Sequence, residues 1–252
     1  MNYLKGIELN RLPPKTSYLC GLPVIKHLTK MERLTFEKPV TFIVGENSTG
    51  KSTLLEAIAV AVGFNPEGGS RNFNFSTNDS HSELWEYIDT VKTILPRDGY
   101  FLRAESLYNV ASNIDEMDKE PSIGPPIIDS YGGVSLHKQS HGESFMAIIQ
   151  KRFRGNALYI LDEPEAALSP MRLLTLIAEI SRLVKQNSQF IIATHSPILM
   201  SYPDAEIIEL TQEGISKVDC KDTEHYKVTK QFLEDPERML RYLLDDSDRN
   251  FD

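Results

Sequence analysis

Cysteine is scarce in this chain of 252 residues: only Cys20 and Cys220 occur, far apart and without metal-ligand neighbours. That scarcity argues against a disulfide framework or a cysteine-held metal, and predicts two reduced thiols in a cytoplasmic protein. No apolar run approaches the ~20 residues that a membrane span needs, and the polar N-terminus does not read as a signal peptide. Basic charge is also short. Lys and Arg number 27 against 36 Asp and Glu, a net charge of −9. This argues against a surface coated generally by DNA, while leaving room for a local basic groove. Internal repeats, heptad arrays and low-complexity tracts are missing as well. What is present, 40% apolar and 25% charged residues, is ordinary for a globular protein. The length suffices for one large domain or two small ones with a substantial core.

Periodicity organises the chain. Residues 3–9 alternate as a strand, and Pro13-Pro14 then break it. Residues 19–28 are apolar but punctuated by Gly21 and Pro23, which predicts irregular structure. Residues 32–36 and 40–44 read as two strands joined by a turn at Glu37-Lys38-Pro39. A helix is expected over 52–62, closed by Gly63 and Pro66. Residues 64–80 form a long polar loop, and 84–95 fit strand or helix equally. A buried strand is expected over 100–105. Residues 112–140 hold an acidic run, Asp115 to Glu120, followed by Pro121, Pro125, Pro126 and Gly132-Gly133. They predict a long connection, either functional or a solvated insertion. A helix is expected over 142–153, a buried strand over 157–161, and a helix over 170–185 behind an N-cap at Ser169. A second buried strand covers 189–194, a hairpin 205–218, and two short helices 223–244, the second opened by Asp235-Pro236. Strands and helices that alternate in this way predict a parallel-cored α/β sheet, with its ligand beyond the carboxyl ends of the strands.

The chemistry starts where the β-branched run before Gly45 stops. Gly45-Glu46-Asn47-Ser48-Thr49-Gly50-Lys51-Ser52, followed by Thr53, satisfies G-x-x-x-x-G-K-[ST], a phosphate-binding loop between strand and helix. Its glycines let backbone N–H groups turn inward around an anion, and the helix dipole points the same way. Lys51 is expected at the β- and γ-phosphates of ATP, and Ser52 on Mg²⁺. A second hydrophobic strand ends in Asp162-Glu163, which suits one carboxylate for the Mg²⁺ shell and one as general base toward water. Adjacent side chains on a strand diverge, which would separate the two roles. A third ends in His195, placed to contact the γ-phosphate and the attacking water. Between them Ser140, the Gly142 amide and Glu143 stand at a helix start, a second anion site.

The order of phosphate loop, Ser-x-Gly-Glu at a helix start, hydrophobic-Asp-Glu and strand-His resembles an ABC-type ATPase. Asp-Glu-Pro-Glu-Ala-Ala-Leu-Ser-Pro (162–170), Ser-His-Gly-Glu-Ser (140–144), Phe-Leu-Arg-Ala-Glu-Ser (101–106) and Thr-Glu-His-Tyr (223–226) are similar to those of stand-alone bacterial ATPases of the AAA family with an SMC/RecF-like domain. The resemblance implies that 45–52 is Walker A, 140–143 the signature, Asp162-Glu163 Walker B with the catalytic glutamate, and His195 the switch histidine. Residues 166–169 fall at the D-loop. Two departures stand out. The usual Leu-Ser-Gly-Gly-Gln signature is here Gln139-Ser140-His141-Gly142-Glu143, and the Q-loop glutamine is missing, with Glu105 near its place as a candidate metal ligand. Tyr18 and Phe36 are the candidate aromatics for adenine.

The fold so implied is α/β, a P-loop NTPase of the ABC type, with a mixed sheet of parallel core flanked by helices and a small helical signature subdomain. One domain spans 1–252: a nucleotide-binding core at 1–75 and 155–220, an insertion with the signature helix at 76–154, and C-terminal helices at 221–252. The implied function is Mg·ATP hydrolysis at a head-to-tail homodimer, coupled to a nucleic-acid or protein partner in DNA maintenance or phage defence. A rival is the ATP-binding subunit of a transporter, which requires a membrane subunit. Another is a P-loop kinase, which has no need of His195 or the Ser140 helix start.

Overall fold

A computed structural model describes residues 2–71, 82–119 and 124–244. Its strands are β1 (Leu4–Leu9), β2 (Leu34–Thr35), β3 (Val40–Gly45), β4 (Ile88–Lys92), β5 (Asp98–Arg103), β6 (Ala157–Asp162), β7 (Gln189–Ala193), β8 (Glu206–Leu210) and β9 (Ile215–Lys217). Its helices are α1 (Pro23–Leu28), α2 (Lys51–Ala61), α3 (Leu107–Met117), α4 (His141–Ala147), α5 (Pro170–Val184), α6 (Pro197–Met200), α7 (Glu224–Glu234) and α8 (Pro236–Leu244). A six-stranded sheet runs β5-β6-β7-β3-β8-β9, and a separate three-stranded sheet runs β2-β1-β4. Among the described strands of the larger sheet only β9 is antiparallel.

The central strands are buried on both faces, so their side chains divide by parity between two cores. Phe42, Tyr100, Tyr159, Leu161, Phe190 and Ile192 face one side, where α3, α4, α5 and α6 pack. Ile43, Phe101, Ile160, Ile191 and Ile208 face the other, where they meet α1, α2 and the small sheet. Gln189 fastens the small sheet to the large one. Its buried amide accepts from the Tyr3 and Leu4 N–H groups and donates to the Leu4 carbonyl.

Register positions the site. Arg103 pairs with Asp162, Asp162 with Ala193, and Ala193 with Ile43. The carboxyl ends of four adjacent parallel strands therefore finish together, as an open α/β sheet requires for a ligand crevice.

Several sequence expectations are corrected. The expected strands at 32–36 and 40–44 are both present, the first only as Leu34–Thr35, and they lie in different sheets: β2 pairs with β1 in the small sheet while β3 enters the large one. The apolar 19–28 stretch is ordered, as a 3-10 turn (Tyr18–Gly21) followed by α1, with Pro23 in the first helical turn, where it loses no hydrogen bond. The expected long connection over 112–140 begins inside α3, whose Leu107, Val110, Ala111 and Ile114 recur at helical spacing and are buried. Residues 84–95 divide into a 3-10 turn (Glu83–Tyr87) and β4. The 142–153 helix turns π-helical over Ile148–Arg152. Asn72 to residue 80 and Glu120-Pro121 lie outside the described residues.

The π-helical segment ends on Arg152, which grips Asp98 at the start of β5 through two contacts of 2.5 and 3.0 Å. This fork joins the helix carrying the 140–143 motif to the sheet edge. Burial favours the neutral acid at Asp98, but the Arg152 hydrogen bonds and charge outweigh it and hold the carboxyl below its ordinary range. A depressed pKa contributes stability above the unfolded value, and that stability is lost as pH falls through the folded value. Arg152→Met is therefore expected to cost about 1.5–3 kcal/mol at neutral pH, with the gap closing below pH about 4. Urea unfolding of both proteins across pH checks this; a pH-independent gap contradicts it.

Candidate functional site

The phosphate loop follows β3 and opens α2, as its sequence requires. Gly45 has φ +136°, and a Cβ there would lie 2.1 Å from the Leu210 carbonyl oxygen on β8. Gly50, at φ +98°, is pressed against Val24 of α1, where a Cβ would meet Cγ1 at 2.5 Å. The backbone therefore demands glycine at both ends of the loop, for space and for conformation. Val24 also donates its N–H to the Thr49 carbonyl, so α1 buttresses the loop. Glu46, Asn47 and Ser48 are exposed, with Ser48 in the left-handed region, and Ser52 and Thr53 are half-buried on α2.

Lys51 is 4% exposed, and its ammonium donates to the Gly45 and Glu46 carbonyls, each at 2.8 Å. Burial lowers its pKa, opposed by the charges of Glu163, Asp162 and Glu165. The Ser52 hydroxyl donates to Asp162 Oδ1 at 3.1 Å. Burial pushes the Asp162 carboxyl up to about 6, with Arg103 opposing and Glu163 reinforcing. A hydroxyl and a carboxylate held side by side, beside a phosphate loop, are an oxygen set that suits Mg²⁺. Such an ion takes one or two protein ligands and completes its shell with phosphate and water. Among the described residues no group of three or more His, Cys, Asp or Glu has metal-holding geometry.

Glu163 diverges from Asp162 by a different route from the strand pleat that sequence reasoning invoked. β6 ends at Asp162, and Glu163 takes φ 47°, ψ 56° as the chain turns into a 3-10 segment (Pro164–Ala166). A left-handed non-glycine residue costs roughly 1–2 kcal/mol, and such strain collects at functional sites. The turn is secured by the Glu163 N–H donating to the Ala193 carbonyl at 3.0 Å. It leaves Glu163 Oε1 3.4 Å from His195 Nε2. Burial, Lys51 and His225 lower the His195 pKa, and Glu163 opposes them.

The structure thus brings together Lys51, Ser52, Asp162, Glu163 and His195. An open cavity of about 690 Å³ adjoins this group, lined by Glu163 and His195 of the group, by Glu46 and Asn47 of the loop, and by Glu224 and His225 of α7. Ser140, Gly142 and Glu143 sit elsewhere. The Glu143 carboxylate accepts from Ser140 N–H and Oγ at 2.9 and 2.7 Å, and Arg172 approaches it at 3.6 Å. A Cβ at Gly142 would lie 2.8 Å from the Ala167 carbonyl oxygen, which seats this helix start against the end of the 3-10 segment that follows Glu163. Glu105 is solvent-facing, with 84% of its side chain exposed, and pairs weakly with Arg103 at 3.8 Å. Phe36 is fully buried beneath the small sheet, so of the two candidate aromatics only Tyr18, 61% exposed, can meet an adenine.

Three contributors were missed. Glu165 accepts from the His195 N–H at 2.5 Å and from Thr194 Oγ1 at 2.8 Å, holding the end of β7. Burial raises its pKa. His225 meets His195, with Nε2 to Nδ1 at 2.7 Å. Arg103 lies between two buried carboxylates, 2.5 Å from Glu56 Oε2 and 3.4 Å from Asp162 Oδ2. The strand ending in Arg103 was legible, but its partner acids are distant in sequence, and only the register unites them.

The side chains of Glu56 and Asp162 are 10% and 7% exposed. Arg103→Ala leaves both without their cation, which is expected to cost about 3 kcal/mol. Glu56→Gln in the same chain should restore part of the loss. Denaturant unfolding of the three proteins checks this, and a single-variant loss below about 1 kcal/mol, the scale of an exposed pair, contradicts it.

Comparison with known proteins bears on the family and the fold. Residues 25–96 match a family model described as "AAA domain", and residues 131–201 one described as "AAA domain, putative AbiEii toxin, Type IV TA system". UvrABC system protein A of Lactococcus lactis subsp. lactis (strain IL1403) is 39% identical over 66 residues, 26% of this chain and 7% of that protein's length. Among solved structures, cbiO1 of Clostridium perfringens, part of the ABC transporter complex cbiONQ, superimposes with a TM-score of 0.50. That alignment has 16% identity and covers 97% of this chain and 100% of the other. A second, titled "An inward-facing conformation of a putative metal-chelate type ABC transporter", gives a TM-score of 0.50 at 12% identity, covering 91% and 88%. At those identities the likeness is one of fold. The chain is a P-loop protein with the ABC-type ATPase fold, carrying AAA-domain sequence in two separate segments.

Proposed function

We propose that this chain binds Mg·ATP in the 45–52 loop and hydrolyses it, with two copies closing head to tail around two nucleotides. The convergence of Lys51, Ser52, Asp162, Glu163 and His195 at the carboxyl ends of four strands carries the reading. Mg²⁺, held by Ser52 and Asp162, would neutralise phosphate charge. Lys51 turns from the loop carbonyls to the terminal phosphates, where its charge stabilises the transferring group. Glu163, released from the strand by its left-handed turn, orients water and takes its proton. His195 donates from Nε2 toward the same region, and Glu165 fixes its backbone.

The exposed 140–143 helix start supports the dimer. Ser140 faces solvent and bonds to Glu143 rather than to its own phosphate loop. A reciprocal arrangement lets each copy's Ser140 and Gly142 cover the nucleotide of the other, which is the two-fold logic of an isologous interface. We assign the output to a partner in DNA maintenance or phage defence. The match of 131–201 to a model described for a toxin of a type IV system fits a role of that kind.

Lys51→Ala is expected to abolish ATP binding measured by calorimetry, because the phosphate charge loses its cation. Glu163→Gln with Mg·ATP should sediment as a dimer, and adding Ser140→Arg should return it to monomer by blocking the closing surface. Wild-type affinity in Lys51→Ala defeats the phosphate-loop assignment. A Glu163→Gln protein that stays monomeric at every attainable concentration defeats the composite site.

A further inference from the structure

The Thr-Glu-His-Tyr stretch at 223–226 has no part in the hydrolytic scheme above, yet it reaches the site. Thr223 is fully buried, donates its hydroxyl to the Cys220 carbonyl and accepts from the Tyr226 N–H, so it caps the start of α7. His225 then falls in the first turn. No residue of α7 is buried, so packing in a core does not explain where this imidazole sits. It sits in the cavity over the phosphate loop, with ring centroids 4.7 Å from those of His195 and Nε2 at 2.7 Å from His195 Nδ1.

At that distance one proton is shared between two nitrogens, and the surroundings decide which nitrogen owns it. The opposite nitrogen of His195, Nε2, faces the Glu163 carboxylate at 3.4 Å and is shielded from solvent. A lone pair there would oppose the carboxylate, so the proton of the neutral ring belongs on Nε2. Nδ1 must then accept, which makes His225 Nε2–H the donor.

We propose that His225 is a positioning residue, which donates from Nε2 to His195 Nδ1 and so holds the His195 Nε2–H toward Glu163 and the terminal phosphate. This rests on the ATPase reading, in which His195 acts on the nucleotide. The role parallels the orienting group of a catalytic triad: it touches no substrate, but sets the tautomer and ring angle of the residue that does. It also makes α7 part of the site, so displacement of this helix releases the His195 ring.

The test uses the full chain, without nucleotide, with ¹⁵N-labelled histidine at pH about 8, above the ordinary imidazole range. The expected result is a coupling across the hydrogen bond between the two nitrogens, with the proton covalently on His225 Nε2. A proton on His195 Nδ1, or no coupling, overturns the proposal whether or not the protein hydrolyses ATP. Kinetics supply the second readout. His225→Phe keeps the shape without the donor and should lower kcat about tenfold or more, with KM within about twofold. His225→Gln, whose amide N–H can stand near the same place, should recover most of the loss. Equal kcat in wild type and His225→Phe overturns the proposal. A wild type that shows the coupling but neither binds nor cleaves ATP retains the His225 contact and removes the ATPase reading instead.

Discussion

A buried ammonium surrounded by backbone carbonyls and carboxylates sets the terms of this site. Lys51 is held by the carbonyls of Gly45 and Glu46, and Asp162, Glu163 and Glu165 lie near enough to influence its charge. Removing a cation from water is costly unless its surroundings replace the lost hydration. Here the loop carbonyls do so on one side and the acids at the ends of β6 and beyond on the other. The acids carry the converse cost, since burial raises Asp162 and Glu165. Arg103 offsets part of it at Asp162, while Thr194 and the His195 N–H do so at Glu165. Each charge is made tolerable by the next, and the whole set depends on strands that end in register.

That register comes from burial. β3, β5, β6 and β7 are apolar on both faces, so shifting any strand by one residue would exchange its contributions to the two cores. Tyr159 illustrates how firmly the position is held. Its ring stacks on Phe153 at 3.9 Å, and its hydroxyl donates to the Arg154 carbonyl. Precision at the carboxyl ends is thus inherited from packing in the middle of the sheet, and the strained turn at Glu163 is secured by the neighbouring strand.

What could be read from the sequence was what local chemistry encodes. The loop 45–52 is legible because glycine, lysine and serine occupy consecutive positions whose roles are fixed by one short backbone path. β6 and β7 are legible as near-continuous apolar runs, and α5 as a periodic stripe behind a serine and a proline. The three-stranded sheet escaped because β2 is two residues long and its partner β1 lies far back in the chain. α3 escaped because its acidic end and the prolines beyond it concealed the spacing of Leu107, Val110 and Ile114. Arg103, Glu165 and His225 act through contacts separated by 29 to 59 positions, and nothing in the local pattern announces such contacts. The Asp162-Glu163 divergence was expected for a reason the structure replaces: a left-handed turn produces it, where pleat alternation was invoked.

The central claim is that this constellation cleaves ATP, with Glu163 serving the water rather than the nucleotide. Phosphate release by wild type and Glu163→Gln, measured beside the ATP affinity of each, tests it most directly. The account predicts Mg²⁺-dependent release by the wild type, a fall of about 100-fold or more in the variant, and affinities that match. Equal release by the two proteins, or a loss of affinity in Glu163→Gln as large as its loss of turnover, would contradict it.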